Sequence, residues 1–236
     1  MTDYMLLVLE DEAAHAAQPP KAMAELIEKR ARFGDGLRGA GRLKDAGQFR
    51  PSNEGKRVRR ASERLTVESG PFVEGGRSFG AYYWVDARSI DEAAELANDC
   101  PSLETDEVEL RPVMKGVVPG VKEAKPGKLF ACAVLGNEAS ETAWVQVMDR
   151  IDAEQSQFPP DAFLGGVRLE PPTRGRRVAT RGERRAMFDG PFLESKEVIG
   201  GLFFVRMSSM DEALAWAGET RFVVHGALEI RELWRI

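Results

Sequence analysis

Histidine and cysteine are scarce here, with two of each in 236 residues. Cys100 and Cys132 form no metal-type spacing and no disulfide framework. With so few nitrogen and sulfur ligands, the composition argues against a structural zinc site, and no cofactor is implied. Long hydrophobic runs are missing as well. The apolar run over residues 5–9 is too short for a membrane span or a signal peptide, and no basic stretch precedes it. We therefore expect a cytoplasmic protein with no membrane partner, its thiols kept reduced. No one sign of charge dominates: 33 Lys and Arg face 38 Asp and Glu, a net charge of −5. That balance speaks against a broad nucleic-acid surface. Two local basic stretches, residues 57–64 and 174–185, recur at matching places and read as solvated strand and turn faces. No Ser/His/Asp or Cys/His constellation is apparent. Gly34-Asp35-Gly36 and Gly39-Ala40-Gly41 lack the strand, helix and lysine of a phosphate loop.

What the chain does have is enough apolar residue, 43%, for a packed core, and an internal repeat. Ser69-Gly70-Pro71-Phe72-Val73-Glu74 recurs as Asp189-Gly190-Pro191-Phe192-Leu193-Glu194, 120 positions on. At that offset residues 69–114 carry 13 identities without a gap, among them Gly80 with Gly200, Ser89 with Ser209 and Arg111 with Arg231. The chain is thus a tandem duplication. Repeat one covers residues 1–114 with a degenerate Ser-Gly-Pro-Phe motif. A Gly- and Pro-bearing linker covers 115–128, and repeat two covers 129–236 with Asp-Gly-Pro-Phe.

Each repeat opens with an apolar run of strand length. In repeat one a helix follows over 20–39, then Gly- and Arg-rich segments that suggest a hairpin, then the Gly-Pro-Phe turn. A strong strand comes next, 81–85 or 202–205. Ser89 with Glu92, and Ser209 with Glu212, are capping boxes that start a short helix. The last strand is 108–113 or 228–233. This order predicts an α+β fold, two ferredoxin-like units in sequence. The strands 82–85 and 202–205 are apolar at every position, so both of their faces should be covered. Helices cover one face, which leaves the other for the second repeat. In the last strands Glu109 and Arg111, and Glu229 and Arg231, should lie nearer solvent or line a polar crevice.

The run from Asp189 to Glu197 with Gly200-Gly201, the opening Tyr4 to Val8, and the segment Asp211 to Ala217 closely resemble the YCII-related, or DGPF-domain, family across nearly the whole chain. The resemblance implies that the repeats form a dimeric α+β barrel within one chain. The family has no settled activity. Some members are associated with alternative sigma factors, and others in the wider superfamily resemble lyases and isomerases. Single-domain relatives carry a first-helix His paired with an Asp as a proposed catalytic dyad. The best placement of that His here falls on Arg30, which cannot act as a base near neutral pH.

Candidate catalytic residues are Asp189, in the motif, and His225, before the last strand. Candidate ligand-binding residues are Glu194 and Lys196, which make the second motif charged, with Glu229 and Arg231 on one strand face. Each has a plainer reading. Asp189 can simply bond its own turn, Glu194 and Lys196 can be a solvated loop, and Glu229 with Arg231 can be cross-strand ion pairs. His15 and His225 can be polar surface. Because the second motif is the charged one, repeat two is the better candidate for a site. The expected function is that of a small-molecule-binding α+β barrel protein with a regulatory role and a small polar or anionic ligand. The alternatives are an acid–base enzyme of the lyase or isomerase kind on a small polar or anionic metabolite, and a transcription-associated protein-interaction module with a protein partner. A monomer with pseudo-dimeric repeats is expected.

Overall fold

The computed structural model describes residues 1–61, 64–72, 77–120, 127–136, 162–181, 184–189, 198–220, 223 and 226–235. In the first half, strand β1 (Thr2–Glu10) is followed by the short helix α1 (Glu12–Ala16) and the long helix α2 (Pro20–Gly39). Strands β2 (Leu43–Phe49), β3 (Lys56–Ala61), β4 (Arg64–Ser69) and β5 (Ser78–Ala87) come next, then α3 (Ile90–Asp99) and β6 (Glu107–Val117). The second half contains β7 (Lys128–Gly136), β8 (Phe163–Leu169), β9 (Arg176–Arg181), β10 (Arg184–Asp189), β11 (Val198–Met207), α4 (Met210–Glu219) and β12 (Ala227–Arg235).

Eight strands close on themselves in the order β1-β5-β2-β12-β7-β11-β8-β6, with β6 returning to β1. Every pairing is antiparallel. The expected α+β fold, two ferredoxin-like units forming a dimeric α+β barrel, does not describe this chain. It is mostly β: twelve strands against four α-helices among the described residues, around one closed antiparallel barrel. The reason lies in strand length. Apolar runs of four to six residues mark only strand centres, while backbone hydrogen bonding carries β5, β6 and β11 to ten or eleven residues. The basic segments add two further hairpins, β3–β4 and β9–β10. Residues 115–117, read as the start of a linker, are the end of β6, and Lys128 begins β7.

Alternation along each strand sorts the core into an interior and two outer layers. Met5, Leu7, Phe49, Tyr82 and Trp84 from the first half meet Ala131, Leu164, Leu202, Phe204 and Leu233 from the second inside the barrel. Tyr82 and Phe204 stack across it with ring centroids 5.1 Å apart. Outside, Leu6, Val8, Tyr83 and Val85 pack under Leu37 of α2 and Ala93, Ala94 and Ala97 of α3. Cys132, Phe203 and Val205 pack with Ala213, Trp216 and Ala217 of α4. Strands apolar at every position are therefore covered on both faces.

The helix starts follow the predicted chemistry with one adjustment. Ser89 Oγ accepts from Glu92 N, and Ser209 Oγ from Glu212 N, both at 3.2 Å. The returning carboxylates reach one residue further than a capping box, to Arg88 N and Ser208 N at 2.6 Å. Helix α2 ends in the same spirit: Gly41 adopts φ +70°, which lets Arg42 N bond Leu37 O at 2.8 Å.

Glu109, Arg111, Glu229 and Arg231 do not lie near solvent; all four are buried. The chain turns a corner after β2 and after β8 through short 3-10 turns, Ser52–Glu54 and Pro172–Arg174. Each corner folds over the neighbouring last strand. Arg231 donates through Nε and Nη2 to the Arg50 carbonyl, the Nε bond at 2.9 Å. Arg111 does the same to Glu170, again at 2.9 Å through Nε. Gly55 and Gly175 leave room for these side chains: a Cβ there would lie 2.9 Å from Arg231 Cγ or 2.7 Å from Arg111 Cδ.

Candidate functional site

At the end of β1 the chain concentrates polar groups that the sequence left scattered. Asp11 caps α1, accepting from Ala14 N at 3.0 Å. His15, one turn on, reaches Asp106 at the entrance to β6, with Nε2 2.9 Å from each carboxylate oxygen. Asp106 is itself fixed by Leu103 N at 2.8 Å and Asp11 N at 3.2 Å. A buried carboxylate with three donors holds the ring orientation and favours the imidazolium. His15 Nδ1 faces Glu10 Oε2 at 3.9 Å, beyond hydrogen-bond reach. Burial works against protonation of His15, yet the hydrogen bond to Asp106 and the charge of Glu10 outweigh it and raise its pKa above the ordinary value.

Arg30 closes the group from α2. It lies on the buried stripe Leu26, Arg30, Gly34, Leu37 and is only 1% exposed. Its Nη1 donates to Glu10 Oε1 at 2.5 Å and its Nε to the Pro101 carbonyl at 3.2 Å. Nη2 lies 3.8 Å from Asp106 Oδ2 and has no hydrogen-bond acceptor. Gly80 of β5 makes this arrangement possible, since a Cβ there would sit 1.8 Å from Glu10 Cδ.

Glu12 ties the same helix to the Gly-Pro-Phe turn. Its carboxylate accepts from Ser52 N at 2.8 Å, Ser52 Oγ at 2.7 Å and Ser78 Oγ at 2.7 Å. Burial alone would raise the Glu12 pKa; these hydrogen bonds from Ser52 and Ser78 bring it below its ordinary value. Phe72 N donates to Ser52 Oγ at 3.1 Å, and Arg57 lies over the Phe72 ring at 4.6 Å. Behind Glu12 stand Arg231, at 4.0 Å, then Glu229 and Arg57, the last two paired at 2.7 Å.

Among the described residues singled out from sequence, Glu229 and Arg231 are brought together and Asp189 stands apart from them. Asp189 ends β10 with its side chain 82% exposed and pairs with Arg176 at 3.0 Å. Glu229 and Arg231 form the buried ion pairs just described. His225, Glu194 and Lys196 lie outside the described residues. Arg57 and Arg177, read as solvated, instead turn inward to Glu229 and Glu109. The polar cluster sits in repeat one, where the motif is the degenerate one. At the repeat offset its partners vanish: Asp106 becomes Gly226, Ser52 becomes Pro172 and Ser78 becomes Val198. The His15–Asp106 pair was hidden because 91 positions separate its members. Arg30 did carry a signal, being a charge on an otherwise apolar helical stripe. Among the described residues no group of three or more His, Cys, Asp or Glu is placed to hold a metal ion, and no helix is long and apolar enough to cross a membrane.

The model of the YCII-related domain matches twice, over residues 2–116 and 134–236. An uncharacterized protein of Rhizobium meliloti is 32% identical over 95 residues, covering 38% of this chain and 77% of that protein. Among solved structures, an anthrone oxidase-like protein is similar at a TM-score of 0.41 and 10% identity, covering 99% of this chain and 91% of that one. With both halves matched by the family model, the chain belongs to the YCII-related family, in a tandem-duplicated form.

Proposed function

We propose that the protein binds a small polar metabolite beside α1 and carries out acid–base chemistry on it with His15. The observation that supports this reading is the His15–Asp106 pair. Asp106 holds Nε2 at 2.9 Å and leaves Nδ1 without a close partner. A histidine so held can hand a proton from Nδ1 to a substrate atom and recover it, while the carboxylate stabilises the imidazolium. Glu12 couples the Gly-Pro-Phe turn to the helix that carries His15, and Arg231 with Glu229 supports Glu12 from behind. Asp189, exposed on a hairpin edge, is left without a part in this chemistry.

The test is a thermal-shift screen against small polar metabolites, followed by product analysis by NMR on each hit. A ligand at about 100 times its Kd adds roughly 2.7 kcal/mol of stability. Binding that survives in His15→Asn while turnover disappears is the expected pattern. Turnover that persists unchanged in His15→Asn and Asp106→Asn would refute the assignment.

A further inference from the structure

The charged ring that contains His15 leaves one donor unanswered, and its position indicates what the ligand presents. Arg30 is closed off from water, and an arginine can only donate. Its Nε and Nη1 are satisfied by Pro101 O and Glu10, whereas Nη2 has no acceptor. Asp106 Oδ2, at 3.8 Å, is an ion-pair contact too long for a hydrogen bond, and that carboxylate already serves His15, Leu103 N and Asp11 N. A buried guanidinium N–H without an acceptor is unfavourable, and so is placing a charge on an apolar helical stripe where leucine would pack more cheaply. Arg30 Nη2 and His15 Nε2 flank the same oxygen, Asp106 Oδ2, at 3.8 and 2.9 Å. An acceptor on Nη2 would therefore lie beside the imidazole. Exposure decreases from Glu10 and His15, at 13% and 10%, to Arg30 and Asp106, so the ring opens on the Glu10–His15 side.

Charge decides which acceptor fits. The carboxylates of Glu10 and Asp106 face Arg30 and His15, so the ring is at most balanced when the imidazole carries a proton. A ligand carboxylate would place a third anion against no more than two cations in a site shielded from water. A carbonyl oxygen accepts the same hydrogen bond and adds no charge. We infer that Arg30 Nη2 is the recognition point for an uncharged carbonyl group of the ligand, a ketone, lactone or enolisable dicarbonyl, held next to His15. This deepens the acid–base reading by naming its substrate class, but the binding step does not depend on His15 turning anything over.

The experiment is ligand-observed NMR on the full chain with matched probes: cyclohexanone, γ-butyrolactone and acetylacetone against acetate, succinate and oxalate. The wild type should bind the carbonyl set at least about tenfold more tightly than the carboxylates. Arg30→Lys keeps the charge but loses the planar fork, and should erase that preference. Tighter binding of the carboxylates by wild type, or no binding of either set, overturns the inference, and neither outcome requires a variant to fold. Carbonyl binding retained in His15→Asn with no turnover in wild type would uphold Arg30 while removing the acid–base reading.

Discussion

At the scale of single residues, the cluster around α1 shows how burial and partners compete. Desolvation opposes a charged imidazole, and the contacts with Asp106 and Glu10 overcome it. The folded pKa of His15 therefore lies above its unfolded value of about 6.5. The interaction adds stability in full below that unfolded value, and this contribution is lost as pH rises through the folded pKa. Urea unfolding followed between about pH 5 and pH 9 should show stability declining on the alkaline side. Asp106→Asn should flatten that slope; an unchanged slope would mean that His15 is not the titrating group. None of this could be read from the chain alone. His15 looks like any polar residue after a strand, because the carboxylate that makes it special arrives from 91 positions away. Arg30 was more legible, since only an unusual demand keeps an arginine on the stripe with Leu26 and Leu37.

At the scale of elements, local chemistry was well written into the sequence. Helix α2 spans the 20–39 segment expected of it, and the serine caps of α3 and α4 are present with matching geometry in both repeats. Ser89→Ala and Ser209→Ala should each cost about 1 kcal/mol, measured by urea denaturation. Unequal losses would show that the two caps are not equivalent in strength. The hairpins were legible only as turns and basic residues. Their function as elements is tertiary: β3–β4 reaches α4 of the other half through Arg60 and the Gly218 carbonyl. Likewise β9–β10 reaches α3, where Arg185 donates to the carbonyls of Asn98 and Cys100 at 2.6 and 3.0 Å.

At the scale of the molecule, two seams join the halves among the described residues, β2 and β3 with β12 and β6 with β8 and β9. Each seam is pinned where an arginine from one half grips a carbonyl of the other, Arg231 on Arg50 and Arg111 on Glu170. Arg231→Ala removes these charge-assisted bonds and the guanidinium that lies over the Phe49 ring at 5.3 Å, while Glu229 keeps Arg57. The expected loss is about 3 kcal/mol, seen by both tryptophan fluorescence and circular dichroism in one coincident urea transition. Two separated transitions would mean that the halves unfold independently and that the seams do not unite them.

The sequence by itself determined the duplication, the family, the helix starts and the two-sided burial of the central strands. All of these are local patterns or repeats, and periodicity, capping chemistry and self-similarity record such things within a short window. Tertiary structure decided the predominance of strand, the closure of the barrel and the burial of Glu229 and Arg231. It also decided which repeat assembles the polar cluster. Strand ends and seams are set by backbone hydrogen bonds that leave little trace in side-chain identity. A polar cluster made from Glu10, His15, Arg30 and Asp106 exists only once β1, α1, α2 and the entrance to β6 have been folded against one another.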